Sequence, residues 1–226
     1  TRPDFTLART SAATVFIAED RAADAVRLLR AAPAPLDGAP EVQAKLGQAL
    51  RASGDLRGAA TALERARAAG YANPDLLNDL GGVYAGLGRV GDARAAFSAL
   101  LDRDPDAAEV WHNLGVLELT AGQAGAAASA FRRATAIAPA RADAWEGLGA
   151  SLIQTDRVAA VEAWRRAERL APANYDLLFN LGMVLADGPT PVDARPYLSR
   201  FLREAPRARY ARDFPVVEAR LRALGR

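Results

Sequence analysis

The sequence has no cysteine, and only one lysine (Lys45), one histidine (His112) and one methionine (Met183). The lack of cysteine excludes disulfides, thiolate catalysis and thiolate-held metal. It leaves the compartment open, because an oxidising environment does not require cysteine. A lone histidine is poor material for chemistry. A nucleophilic triad needs histidine beside a nucleophile and an orienting acid, and a catalytic metal needs several converging ligands. Neither pattern is present. The glycine-rich spots Gly81-Gly82 and Gly86-x-Gly88 lack the preceding strand and basic anchor of a phosphate-binding loop. A non-catalytic chain without cofactor or metal is expected. No apolar run reaches the roughly 18 residues of a membrane span, so none is expected. There is no signal-peptide pattern, and a chain that opens on Thr1 is expected to be a piece of a longer one or a processed product.

Charge of one sign is also scarce: the formal net charge is +2. Nearly all the basic residues are arginine, a bias that reads as genomic composition. A nucleic-acid surface would interleave basic residues with stacking aromatics. The pairs Arg132-Arg133 and Arg165-Arg166 lack such neighbours and read as a solvated face, so no nucleic-acid partner is expected.

What the chain does contain is a period. Six tandem segments, 34 residues long except for one that is a residue short, run 6–39, 40–73, 74–107, 108–141, 142–174 and 175–208. Position 8 of each is Ala13, Gly47, Gly81, Gly115, Gly149 and Gly182. Position 20 is Ala25, Ala59, Ala93, Ala127, Ala160 and Ala194. Position 24 is large: Leu29, Leu63, Phe97, Phe131, Trp164 and Leu198. Position 32 is Pro105, Pro139, Pro172 and Pro206 in the last four. A repeat of this length marks stacked supersecondary units with one core shared between neighbours.

Positions 4, 7, 8 and 11 share one helical stripe, as do 20, 24 and 27. Mid-helix glycine costs about 1 kcal/mol against alanine. Its recurrence at position 8 predicts a close helix crossing, faced by the alanine at position 20, with the large position-24 residue filling the space beside it. Ser53-Gly54-Asp55, Leu87-Gly88-Arg89 and Ala121-Gly122-Gln123 place glycine at a left-handed helix stop; Asp156 and Pro189 take the corresponding place later. Each segment therefore reads as helix, turn, helix. Pro33 and Pro35 should end the first segment's second helix early. Glu118 stands at position 11, where an apolar residue is usual; it reads as an edge residue reaching solvent, with a buried pairing as the alternative. Residues 209–226 do not repeat. Asp213-Phe214-Pro215 reads as a helix start with Pro215 at the first helical position, and the stripe Val217, Leu221, Leu224, surrounded by Arg212, Arg220, Arg222 and Arg226, reads as a terminal cap.

This pattern resembles the tetratricopeptide repeat over about nine-tenths of the chain, with Trp111 and Trp145 at position 4 and Tyr84 at position 11. The resemblance implies an all-α, right-handed α-solenoid of about six helix–turn–helix units over residues 1–208, the first degenerate, plus a capping helix at 209–226. It also implies that each unit's first helix lines a concave binding surface. The residues this puts there are Asn78, Asp79, His112, Asn113, Glu146, Phe179, Asn180 and Met183, with Gln48 and Arg51 among their neighbours. Asn78, Asn113 and Asn180 are similar to part of an asparagine ladder, broken by Gly147. An amide offers both donor and acceptor to a peptide backbone; alternatively these amides cap or bond within the helix pair. First helices from 74 onward carry Asp75, Asp79, Glu109, Glu118, Asp143, Glu146 and Asp176 without Lys or Arg in their cores. That favours a basic or neutral protein or peptide partner and argues against the family's carboxylate clamp.

The functional expectation is a non-catalytic module that binds a peptide or protein segment in its groove. A second resemblance rests on Ala194-Arg195-Pro196-Tyr197-Leu198-Ser199-Arg200-Phe201, Ala205-Pro206 and Tyr210. It is to repeat tails of some bacterial sulfatases, and implies an accessory region covalently linked to an upstream hydrolase domain. Self-association through the first or last unit is a third reading.

Overall fold

The computed structural model describes residues 3–34, 36–71 and 73–225. Among them are thirteen α-helices and no strand, which is the all-α class of the repeat solenoids. In order they are α1 (Pro3–Ala18), α2 (Ala22–Arg30), α3 (Pro40–Ala52), α4 (Leu56–Ala68), α5 (Pro74–Gly86), α6 (Val90–Leu101), α7 (Ala108–Thr120), α8 (Ala124–Ile137), α9 (Ala142–Leu152), α10 (Arg157–Leu170), α11 (Tyr175–Ala186), α12 (Arg195–Glu204) and α13 (Asp213–Leu224). Short 3-10 turns cover Leu36–Gly38 and Pro191–Ala194. The chain forms two compact units, Thr1–Asn113 and Leu114–Arg226.

Local chemistry sets the helix ends. The side chains of Asp55, Asn73, Asp156 and Asn174 each accept a backbone N–H at the start of α4, α5, α10 and α11. Gly54, Gly88 and Gly122 take φ of +86°, +71° and +76°, the left-handed stop that glycine tolerates. Asp20 holds the same place in the first segment at φ +59° without being glycine. Asp156 does not act as a stop: with the segment one residue shorter, it becomes the cap of α10. Helix α2 ends at Arg30 after nine residues, ahead of Pro33; Pro35 lies outside the described residues.

The position-20 alanines are all fully buried, but the reason for the glycines differs from the one the period suggests. A Cβ at Gly47 would lie 2.4 Å from Leu63 Cγ, while the Ala59 carbonyl is 3.3 Å away. At Gly81, Gly115, Gly149 and Gly182 the nearest atoms belong to Phe97, Phe131, Trp164 and Leu198, at 2.3–2.8 Å. The glycine is bare so that the position-24 side chain can lie directly on it, rather than beside a helix crossing. Two further expectations are corrected. Glu118 is buried, 5% exposed, which overturns the solvent-reaching reading and agrees with the buried alternative. Helix α13 begins at Asp213, so Pro215 is its third residue, not its first.

In the second unit α13 packs Phe214 and Val217 into a cluster with Leu178, Leu198, Phe201 and Tyr210, and Leu221 and Leu224 lie at its margin. Phe201 is the hub: its ring centroid is 5.3 Å from Tyr210, 5.5 Å from Phe214 and 5.7 Å from Phe179. Arg220 pairs with Asp187 at 2.9 Å, and Arg195 donates to the Leu224 carbonyl. Arg226 lies outside the described residues.

Candidate functional site

The eight residues that sequence reasoning places on the first-helix face divide evenly between the two units. Asn78 and Asp79 on α5 and His112 and Asn113 on α7 belong to the first; Glu146 on α9 and Phe179, Asn180 and Met183 on α11 belong to the second.

In the first unit they form a polar row of two bonded groups, which meet only through the neighbouring positions of Asn78 and Asp79 on α5. Asn113 Nδ2 donates to Asn78 Oδ1 at 3.1 Å, linking α7 to α5, and His112 Nδ1 lies 3.4 Å from Asn113 Oδ1. Asp79 is turned toward α3, where Gln48 Nε2 donates to its Oδ2 at 2.6 Å and an Arg51 guanidinium nitrogen stands 3.3 Å from its Oδ1. Lys45 extends the row by donating to Gln48 Oε1 at 2.7 Å. Lys45, Gln48 and Arg51 also line an open hollow of about 480 Å3 with Thr14 and Ile17. The asparagines thus bond across neighbouring first helices, a geometry distinct from both a free ladder and a cap.

Burial raises the Asp79 carboxyl pKa; the Gln48 hydrogen bond and the Arg51 charge counter this only in part. Its folded pKa therefore lies above its unfolded one. The stability this confers is present below the carboxylate range and lost as pH rises through the folded value. Asp79→Asn should accordingly be more stable than wild type at pH 7 and lose that advantage in acid. Urea midpoints at neutral and acid pH check this; an advantage that grows on acidification would refute it.

The second unit places its four residues differently. Glu146 is half-buried and structural: its Oε2 accepts from Asn174 Nδ2 at 2.7 Å and its carbonyl from Trp164 Nε1 at 3.0 Å. Burial raises its pKa first, with Asp176 and Asp143 adding to the rise and Asn174 opposing it. Phe179 and Met183 are half-buried against the α11–α13 core, and Asn180 is exposed. Gly147, which interrupts the asparagine series, has a packing cause. A Cβ there would lie 2.4 Å from Phe131 Cζ.

The acidic face is more balanced than the first helices alone suggest. Arg209 pairs with Asp176 at 2.6 Å and Arg141 with Asp143 at 2.9 Å, both from outside those helices, and Arg51 answers Asp79. One recurring bond escaped sequence reasoning. The Trp111 indole donates to the Pro105 carbonyl at 2.8 Å, and Trp145 to Pro139 at 2.9 Å. The spacing Pro-x5-Trp, from position 32 of one segment to position 4 of the next, was the available signal.

Among the described residues no group of three or more His, Cys, Asp or Glu could hold a metal. No described helix is long and apolar enough to cross a membrane.

The tetratricopeptide repeat family profile matches residues 44–108, 78–142, 112–160 and 154–209. The chain belongs to the tetratricopeptide repeat family, whose members are typically non-catalytic protein-interaction modules. No curated protein gives a significant match. Among solved structures, a MamA crystal structure is 25% identical, with TM-score 0.64 over 70% of this chain and 93% of that one. The pilF structure of Pseudomonas aeruginosa superposes with TM-score 0.77 over 95% of this chain and 98% of that one, at 19% identity. YrrB, described as a repeat protein with an unusual peptide-binding site, gives TM-score 0.63 at 22% identity, over 76% and 89%. The latter two likenesses speak to the fold alone. None of these supports the sulfatase-tail resemblance.

Proposed function

We propose that the chain is a protein-interaction module that holds an extended, neutral or basic peptide or protein segment along the first-helix face, without chemistry. The observation that carries this is the row from Gln48 and Asp79 to Asn78 and Asn113, drawn from α3, α5 and α7. An amide pair bonded once still has a free N–H and free lone pairs, enough to meet a peptide N–H and C=O whatever that peptide's side chains. Asp75 and Glu109, exposed in the first turns of α5 and α7, add negative charge beside the row and favour a neutral or basic segment. Helices already packed lower the ordering cost of binding.

The test is selection from a random 12-residue peptide display library, followed by affinity measurement on the enriched peptides. The double variant Asn78→Ala/Asn113→Ala should weaken them at least about tenfold, near 1.4 kcal/mol, with the helical circular dichroism unchanged. Enriched peptides whose affinity survives the double variant overturn the proposal. So does a variant that loses helicity in step with binding, which would make the amide pair a packing element.

A further inference from the structure

At position 4, where segments 108–141 and 142–174 carry Trp111 and Trp145, segment 40–73 carries Gln43. Gln43 keeps the junction bond: its Nε2 donates to the carbonyl of Asp37, six residues back and at position 32. An amide is far smaller than an indole, so the bond is kept while the volume is not. The helix above is also short, α2 having nine residues where α4 has thirteen. Together these leave a cavity of about 610 Å3 among α2, the Leu36–Gly38 turn, α3 and α4, on residues distinct from the polar row.

Three features of this cavity ask for different parts of one ligand. Its walls include Leu29, Leu46, Leu50 and Ala62, of which all but Leu46 are buried, an apolar floor suited to an aliphatic side chain. Gln43 Oε1 is buried and has no hydrogen-bond partner among the described residues. A buried acceptor left unpaired is costly, and a peptide N–H would satisfy it. On the rim stand Arg30 and Arg65, both exposed and neither in an ion pair among the described residues, with Asp37 as the only lining acid. Two arginines against one aspartate leave the rim positive.

We propose that this cavity is a second docking site, for an acidic segment of a partner protein in which an aliphatic residue is followed by Asp or Glu. The aliphatic side chain lies on Leu29, Leu46 and Leu50. The segment's backbone N–H donates to Gln43 Oε1, and its carboxylates meet Arg30 and Arg65, whose planar forks suit them. The charge preference is opposite to that of the first-helix face, so the two sites would hold different segments.

The probes are three short amidated peptides with Leu, Val or Ile followed by Glu-Asp, and the same peptides with Lys-Lys in place of the acids. They are titrated to about 1 mM, the limit of weak recognition, against the isotope-labelled full chain with amide shifts as readout. The acidic set should shift amides around Gln43, Leu50, Thr61 and Arg65, more weakly as salt rises, and the Lys set should not. Gln43→Trp introduces the indole found at Trp111 and Trp145, should fill the cavity and should abolish the shifts while leaving helicity intact. Arg30→Glu/Arg65→Glu, confined to the surface, should weaken binding at least about tenfold. Asn78→Ala/Asn113→Ala should leave it unchanged, which separates this site from the first-helix one. The proposal is overturned by an absence of shifts at that concentration, by equal shifts from the Lys set, by shifts centred elsewhere, or by binding that survives both cavity variants.

Discussion

Phe131→Ala is expected to cost about 3–5 kcal/mol of unfolding free energy. The ring is fully buried, and it is flanked by two glycines. A Cβ at Gly115 would lie 2.8 Å from it, and one at Gly147 2.4 Å. The cost of a large-to-small change depends on how far the surroundings can relax into the void. Here two walls are helix backbone bare of side chain, in α7 and α9, and backbone held in an intact helix moves little. The loss should therefore fall toward the upper part of the range. Urea unfolding followed by circular dichroism measures it, and a loss under about 1.5 kcal/mol would mean that the helices close over the gap.

Gly147→Asn carries the second large effect, and its sign is diagnostic. Helix propensity alone favours the change by a few tenths of a kcal/mol, because glycine is the poorer helix former. The substitution also continues the asparagine series at position 6. Against this, the new Cβ would lie 2.4 Å from Phe131 Cζ and 2.5 Å from Cε1. The ring has little room to retreat, since it is fully buried and Gly115 bounds it as well. Overpacking of this kind costs about 1–3 kcal/mol, so destabilisation wins. In a double-mutant cycle Phe131→Ala should relieve most of that cost, giving a coupling of about 1–3 kcal/mol. Neutral or stabilising behaviour of the single variant would show that the ring swings aside.

The architecture was legible because it repeats. Glycine at position 8 in five segments and alanine at position 20 in all six stand at fixed spacing, and repeated copies of a weak signal make a strong one. The glycine–aromatic stacking was legible only in outline: the period points to position 8 without saying which atoms fill the space there. Gly147 shows the limit. In sequence it reads as a gap in the asparagine series, and its cause, Phe131, sits in the preceding segment. Glu118 was misplaced for a related reason, since burial at one position depends on which neighbours close over it. The candidate site was legible as a set of positions, but not as bonds. Whether Asn113 points to Asn78 or to a helix end is a rotamer choice fixed by packing on α5 and α7. The Gln43 cavity needed two readings at once, a small residue at position 4 and a helix ended early by Pro33, and either alone would look like ordinary variation.

Four of the five position-24 side chains that rest on a position-8 glycine, Leu63, Phe97, Trp164 and Leu198, do so within their own helix pair. Among these five Phe131 alone reaches beyond, to a glycine of the following pair as well, while Leu56 makes a similar crossing from α4 to Gly86 on α5. A pair that completes its own fit can be duplicated, deleted or exchanged by recombination without a matching change next door. The stretch from 108 to 174 cannot be divided this way, because its halves share one ring. Anyone shortening or lengthening the array should cut on either side of that stretch and leave it whole.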